Sequence, residues 1–373
     1  MHKRTIGLDV SIVPMGGGIP NYIEHLLLES EKIRPDIQFK LFYNSMLKNS
    51  LPNHLTHFNI TQTRIPNRVL NLLWNRLEFP PIEWLIGNVD LFHSPAHSPV
   101  YAICPPAKKW VVTVNDLYTF KLKYKQETQS KELSVLHRME RRADRVIAIS
   151  ESTRNDLIEL SPHLEDRTVV IQDGVDSCFF DAREYPDSLE KYGLKKPYIL
   201  YVGCADPHKN LKRLVKAFAQ LSQNYPHSLV LAGKITSRHK PIFDLVEELN
   251  LGHKVIFPDT IETEDLPSVY KNAELFAFPS LYEGFGLVLL EAMAAGTPVV
   301  TSNIASLPEV VGNAGILFDP YDELAIYEAM RTVLDNTPLQ VEMKAKGRER
   351  AHMFSWGKTA LETLCVYEDV IQK

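Results

Sequence analysis

Short β-branched or apolar runs alternate with amphipathic helical patterns along almost the whole chain, and no other feature restricts the fold as much. The strand-like runs are TIGLDV (5–10), FKLFY (39–43), VDLFH (89–93), WVVTV (110–114), RVIAIS (145–150) and TVVIQ (168–172). A second series follows: YILYVG (198–203), SLVLAG (228–233), KVIFP (254–258), ELFAFP (274–279) and PVVTS (298–302). Between them, 21–34, 129–143, 211–224 and 323–335 carry helical periodicity. Parallel strands are joined by crossovers, so this alternation predicts βαβ units and parallel sheets. A chain of 373 residues exceeds what one core usually organises. The expected architecture is therefore α/β, with two Rossmann-like halves.

The boundary is expected within DAREYPDSLEKYGLKKP (181–197), which is charged, holds two prolines and shows no strand pattern. That gives halves at 1–180 and 196–355, with a closing helix at 356–373 free to pack on either, the first included. Hydrophobic residues make up 45% of the chain and charged residues 23%, as in ordinary globular proteins. A net charge of −5 argues against general nucleic-acid binding. Over residues 1–185 the 22 basic and 22 acidic side chains balance, so the negative excess lies in the second half. Cys104, Cys178, Cys204 and Cys365 form no C-x-x-C pair, which argues against a zinc site or a disulfide framework and suits a reducing compartment. Asp9 interrupts the first apolar run, and no segment reaches the about 18 consecutive apolar residues of a membrane span. The expectation is a cytoplasmic protein, with peripheral contact at the inner face of the cytoplasmic membrane left open.

Three strand-to-helix junctions stand out, since ligands of open α/β sheets bind beyond the carboxyl ends of strands, where helix N-termini offer free N–H groups. In SIVPMGGGIPNY, Gly16, Gly17 and Gly18 precede a helix that Asn21 is expected to cap, with Glu24 at the capping-box position. In YVGCADPHKNLKRLVKAF, Asn210 is placed to cap a helix whose apolar face is Leu211, Leu214, Val215 and Phe218. Lys209 then stands beside that N-terminus, where a cation opposes the macrodipole unless an anion is present too. It reads either as a phosphate clamp or as a solvated lysine. In PSLYEGFGLVLLEAMAAGTPVV, Glu283 precedes a helix apolar on every side except for Glu291 in its middle. Such a carboxylate needs a partner or a ligand. Gly296 and Pro298 mark the helix stop.

The 42-residue run PSLYEGFGLVLLEAMAAGTPVVTSNIASLPEVVGNAGILFDP resembles the signature of the retaining glycosyltransferases of family 4, which have the GT-B fold and an E-x7-E motif, here Glu283 and Glu291. YVGCADPHKNLKRLVKAF, RVIAISESTRNDL, IQDGVD, the GGG loop and FSWGKTALETL extend the resemblance over most of the chain. It implies a nucleotide sugar held between two Rossmann-like domains facing across a cleft, mostly by the C-terminal one. Glu291 is assigned to the ribose hydroxyls and Glu283 to the sugar or its immediate surroundings. Lys209 and the N–H groups of Phe285, Gly286 and Leu287 are assigned to the diphosphate, with Gly284, Gly17 and Gly18 as further donor-binding residues. His93 and Asp116 are the further catalytic candidates, with His97 a weaker one. No cofactor and no metal are expected, and the absence of any D-x-D triplet agrees with that. Two departures stand out: Cys204 where many relatives carry arginine, and Asn115-Asp116 where relatives often read His-Asp.

The general texture resembles bacterial mannosyltransferases of O-antigen and capsule synthesis, which implies a GDP-mannose donor and a growing glycan or lipid-linked acceptor. UDP-glucose or UDP-N-acetylglucosamine transfer stays open, as do a sugar-nucleotide 2-epimerase and a non-catalytic binder of sugar nucleotides or a partner. Eight basic against four acidic residues between Lys121 and Arg145, and the stretch VLNLLWNRLEFPPIEWLI (69–86), are possible acceptor or membrane contacts. A solvated face and burial in the core are their plainer readings.

Overall fold

The computed structural model describes residues 4–46, 51–96, 105–122, 126–183 and 186–373. His97, Cys104 and most of the KLKYK stretch lie outside the described residues. The chain divides into two compact units, unit 1 being Met1–Gly174 with Ser355–Lys373 and unit 2 being Val175–Phe354.

The sheet of unit 1 contains β1 (Thr5–Asp9), β2 (Gln38–Asn44), β3 (Asn59–Thr63), β4 (Leu91–Ser94), β5 (Trp110–Val114), β6 (Arg145–Ala148) and β7 (Thr168–Val170), in the order β3-β2-β1-β4-β5-β6-β7. Every pairing is parallel. Unit 2 has β8 (Tyr198–Val202), β9 (Ser228–Ala232), β10 (Val255–Ile256), β11 (Leu275–Phe278), β12 (Val299–Ser302) and β13 (Ile316–Phe318), all parallel, ordered β10-β9-β8-β11-β12-β13. Central strands such as β5 and β12 are buried at every residue because helices cover both faces. In each sheet the order reverses beside the first strand, between β1 and β4 and between β8 and β11. These are the switch points at which such sheets bind ligands.

Sequence periodicity overlooked β3 and β13. Both are edge strands. β3, NITQT, has no fully buried residue, and β13 is three residues long, so pairing with a neighbour defines them more than apolar content does.

The first unit ends at Gly174, earlier than the expected residue 180. The reason is packing: Phe179, on the short helix Ser177–Phe180, meets Tyr270 edge to face at 5.8 Å inside unit 2. The charged stretch 181–197 also holds a helix, Pro186–Lys191, whose Ser188 hydroxyl bonds that of Ser268 at 2.9 Å. The closing helix Trp356–Gln372 belongs to unit 1. Trp356 stacks on His25 with centroids 4.8 Å apart, and Thr359 donates to the Gln172 carbonyl at 2.7 Å. Among the described residues no helix is long and apolar enough to cross a membrane.

Candidate functional site

Three loops meet at the carboxyl ends of β8, β11 and β12 in unit 2. The first leaves β8 through Gly203 and Cys204, makes a short turn at Pro207–Lys209 and enters the helix Leu211–Leu221. The second runs from Pro279 to Gly286 and enters the helix Leu287–Ala295. They are stitched together by the Leu281 N–H and the Ser280 hydroxyl, donating to the His208 carbonyl at 2.7 and 3.2 Å. From the third loop, the Ser306 hydroxyl donates to the carbonyls of Glu283 and Phe285 at 2.9 and 2.5 Å.

Asn210 does not cap its helix with its side chain. It occupies the N-cap position in the left-handed region, and its amide donates instead to the carbonyls of Pro279 at 3.1 Å and Pro320 at 2.8 Å. Bracing two loops satisfies buried carbonyls that no helix serves, which outweighs a local cap.

This framework brings Lys209 and Glu283 together across 74 residues of sequence. The ammonium lies 2.7 and 2.9 Å from the two carboxylate oxygens, and each side chain is only 15% exposed. Lys209 is thus not a solvated lysine. Its nitrogen also lies 5.6 Å from the centroid of the Phe278 ring, a cation–π contact. Around the pair, burial and then the Lys209 charge lower the His208 pKa, so that imidazole stays neutral near pH 7. The Cys204 thiol, raised by burial, donates to Asp206 at 3.3 Å, and Arg238 forms an ion pair with the same carboxylate.

The helix Leu287–Ala295 is buried at Leu289, Leu290, Ala292, Met293, Ala294 and Ala295. No side chain caps its start, so its first-turn N–H groups are free of side-chain acceptors. Gly286 takes φ 125° there, a conformation that L side chains rarely adopt, and a Cβ would sit 3.1 Å from Leu307. Gly296 ends the helix at φ 78°. Glu291, the one acidic residue of this helix, accepts a hydrogen bond from the Tyr270 hydroxyl at 2.8 Å. Burial, with a smaller contribution from the Asp176 charge and against the Tyr270 bond, pushes its pKa up to about 7. A carboxyl so poised gains from a ligand that brings hydroxyl donors.

The remaining expected site residues lie in unit 1. The helix Gly18–Ile33 starts three residues before the anticipated cap, with Gly17 at the N-cap and φ 104°. The Asn21 N–H donates to the Gly17 carbonyl at 3.1 Å, and Glu24 pairs with His54 at 2.7 Å, so neither caps. Positive φ at Gly16 and Gly17, with open space where their Cβ atoms would be, makes the glycine loop a matter of backbone conformation and not of crowding.

His93, a catalytic candidate from the sequence, is enclosed within unit 1. It is fully buried, with Nδ1 2.6 Å from the Tyr367 hydroxyl and Nε2 2.9 Å from the Thr113 hydroxyl, and burial lowers its pKa to about 3. The closing helix supplies Tyr367 and covers the strand end where His93 was expected to face a ligand. Asn115 is buried too, and its Oδ1 has no hydrogen-bond partner among the described residues. Asp116 is partly exposed and accepts the Tyr118 N–H at 3.3 Å. Near it, buried Glu132 bonds the Thr119 hydroxyl and is pushed up to about 7, mainly by burial and partly by the Asp116 charge. Sequence reasoning missed Glu132, Tyr270 and Ser306. None carries a spacing signal, since each matters only through a partner on another element.

Two family descriptions match the chain: Glycosyltransferase Family 4 over residues 17–178, and Glycosyl transferases group 1 over residues 184–350. The serotype-specific mannosyltransferase WbdA of Escherichia coli is 36% identical over 229 residues, 59% of this chain and 28% of that protein, so the chain spans little more than a quarter of WbdA. The O-antigen chain mannosyltransferase B of Escherichia coli is 32% identical over 282 residues, 73% of each chain. Among solved structures, sucrose-phosphate synthase from Thermosynechococcus elongatus is similar with a TM-score of 0.79 at 24% identity, covering 99% of both chains. With two parallel-sheet α/β units, both family descriptions and a relative matched over most of its length, the chain belongs to the family 4 glycosyltransferases and has their GT-B fold.

Proposed function

We propose that the protein is a retaining glycosyltransferase that moves mannose from GDP-mannose to a growing glycan or lipid-linked acceptor in polysaccharide or lipopolysaccharide synthesis. The observation that carries this reading is the Lys209–Glu283 pair, seated before an uncapped helix N-terminus with Glu291 one helix segment further on. Free N–H groups and a cation form a cradle for a diphosphate. Fixed donors there stabilise the charge that grows on the leaving group, which lowers the barrier without rearrangement. Glu291 meets the ribose hydroxyls, and Glu283 orients both Lys209 and the sugar. In this reading the departing phosphate takes the acceptor's proton on the face of attack, so Glu283 is not a nucleophile. Lysine and helix end supply the positive charge that a divalent ion supplies elsewhere, and the reaction needs no metal. Identity to the two mannosyltransferases favours mannose over glucose or N-acetylglucosamine.

The test is thermal stability against sugar nucleotides and free nucleotides, with and without EDTA. A ligand that binds only the folded state raises the melting temperature. Stabilisation by GDP and GDP-mannose, unchanged by EDTA, is expected. Stabilisation confined to UDP compounds redirects the donor to UDP-glucose or UDP-N-acetylglucosamine. If none stabilises the folded protein, a non-catalytic role replaces the proposal.

A further inference from the structure

The cradle proposed above relies on one cation, and that cation is already matched. Lys209 is held by both oxygens of Glu283, and Asp206 stands in the same loop a few residues before it. Two carboxylates against one ammonium would repel a diphosphate at short range.

The fold brings a second cation to this corner from the neighbouring strand. β8 and β9 run parallel, and the Gly203 N–H donates to the Ala232 carbonyl at 2.9 Å. Gly233, at φ 151°, lets the two loops leave side by side, because a Cβ there would collide with the Gly203 carbonyl oxygen. The turn Ser237–His239 that follows is fixed at its start: the Thr236 hydroxyl accepts the Arg238 N–H at 3.3 Å, and His239 Nδ1 accepts the Thr236 N–H at 3.1 Å. His239 is buried and anchors the turn, whereas the Arg238 side chain is 59% exposed and reaches across to pair with Asp206. Asp206 also accepts the Cys204 thiol, so the guanidinium is tied to the loop that carries Lys209. His208 marks the neighbourhood: after burial, the charges acting on its ring are Lys209, Glu283, Asp206 and Arg238. Groups that act on one imidazole lie close together.

We infer that Arg238 is the second cation for the diphosphate, held by Asp206 before the donor arrives and then shared with the phosphate oxygens. A guanidinium suits this exchange because its planar fork can keep one edge on a carboxylate and offer the other to phosphate. Arg238 in this role presupposes the donor reading above and adds to it a residue from a different loop.

The experiment is calorimetric titration of the full chain with GDP and GMP, and with UDP and UMP, in the wild type and in the variants Arg238→Ala, Asp206→Asn and D206N/R238A. Arg238→Ala, with an unchanged melting temperature, should weaken binding of the diphosphate about 10- to 100-fold and of the monophosphate much less. Asp206→Asn removes the competing carboxylate and should bind the diphosphate at least as tightly as the wild type. The double variant separates contact from simple neutralisation of Asp206. It should stay about tenfold or more below Asp206→Asn. Return of the double variant to the affinity of Asp206→Asn overturns the inference, as does a diphosphate affinity that Arg238→Ala leaves unchanged. In both cases the wild type still binds nucleoside diphosphate and the donor reading stands. A wild type that binds neither GDP nor UDP removes the donor reading, and Arg238 loses this role with it.

Discussion

The two units place comparable polar groups near the switch points of their sheets and use them in opposite ways. In unit 1, His93 on β4 is closed in by Thr113 and by Tyr367 from the C-terminal helix, and both ring nitrogens are taken. In unit 2, Lys209 and Glu283 have found each other yet stay partly exposed, next to helix N–H groups that no side chain caps. A buried polar network satisfied from within stabilises a packing arrangement and has no donors to spare. One that is satisfied only in part, at a strand end, is where a ligand can complete the set. The comparison teaches that residue type and strand position do not say whether a polar group at a strand end is enclosed or reachable, whereas the packing around it does.

The sharpest way to break this comparison is Lys209→Ala. It should lower donor turnover of the folded fraction by roughly 10²–10³-fold, the usual cost of removing one charge-stabilising donor, and lower the melting temperature as well, because Glu283 loses its partner. Near-normal steady-state rates would remove Lys209 from the chemistry and leave the pair as mere structure.

The converse variant is His93→Gln, which should cost about 2–3 kcal/mol of folding stability through broken buried hydrogen bonds while turnover in the folded fraction stays within about threefold of the wild type. The sign of its pH dependence follows from burial. A histidine whose pKa is lowered from 6.5 to about 3 in the folded state stabilises fully above pH 6.5, and that contribution is lost as pH falls from 6.5 towards 3. Buried Asp173, pushed up to about 7, works the other way, weakening the fold as pH rises from its ordinary value towards 7. The measurement is therefore the difference between variant and wild-type urea unfolding curves, which should shrink as the pH is lowered. A difference independent of pH would show that His93 is not held neutral.

The smallest expected effect sharpens the role of Glu291. Its pKa near 7 means that the ionised form, the better acceptor for hydroxyl groups, is lost below neutrality. Donor affinity measured by calorimetry should fall up to about tenfold per pH unit below 7. Glu291→Gln should bind about tenfold more weakly at pH 8 and show no such slope. A slope that persists in the variant would assign the titration to another group.

Some of this was legible from local pattern. The alternation of strands and helices is a periodicity of neighbouring residues, so it survives in one dimension and yields the α/β class and the central strands. Gly286 and Gly296 bound the helix that carries Glu291 because only their backbone freedom suits those positions, a local requirement as well. The resemblance carried by Glu283, Glu291 and the lysine loop after β8 was enough to place the candidate site in the second half.

Only the tertiary structure decided the rest. Lys209 meets Glu283 because β8 and β11 are neighbours at the switch point, and Glu291 meets Tyr270 on a preceding helix. The closing helix chose unit 1 and buried His93 beneath Tyr367, 274 residues away in sequence. Trp74 and Trp84, ten positions apart in one apolar stretch, went to the core and to solvent. Periodicity records which residues share a face of one element. Which element covers that face depends on strand order and packing, a many-body outcome that no local window contains.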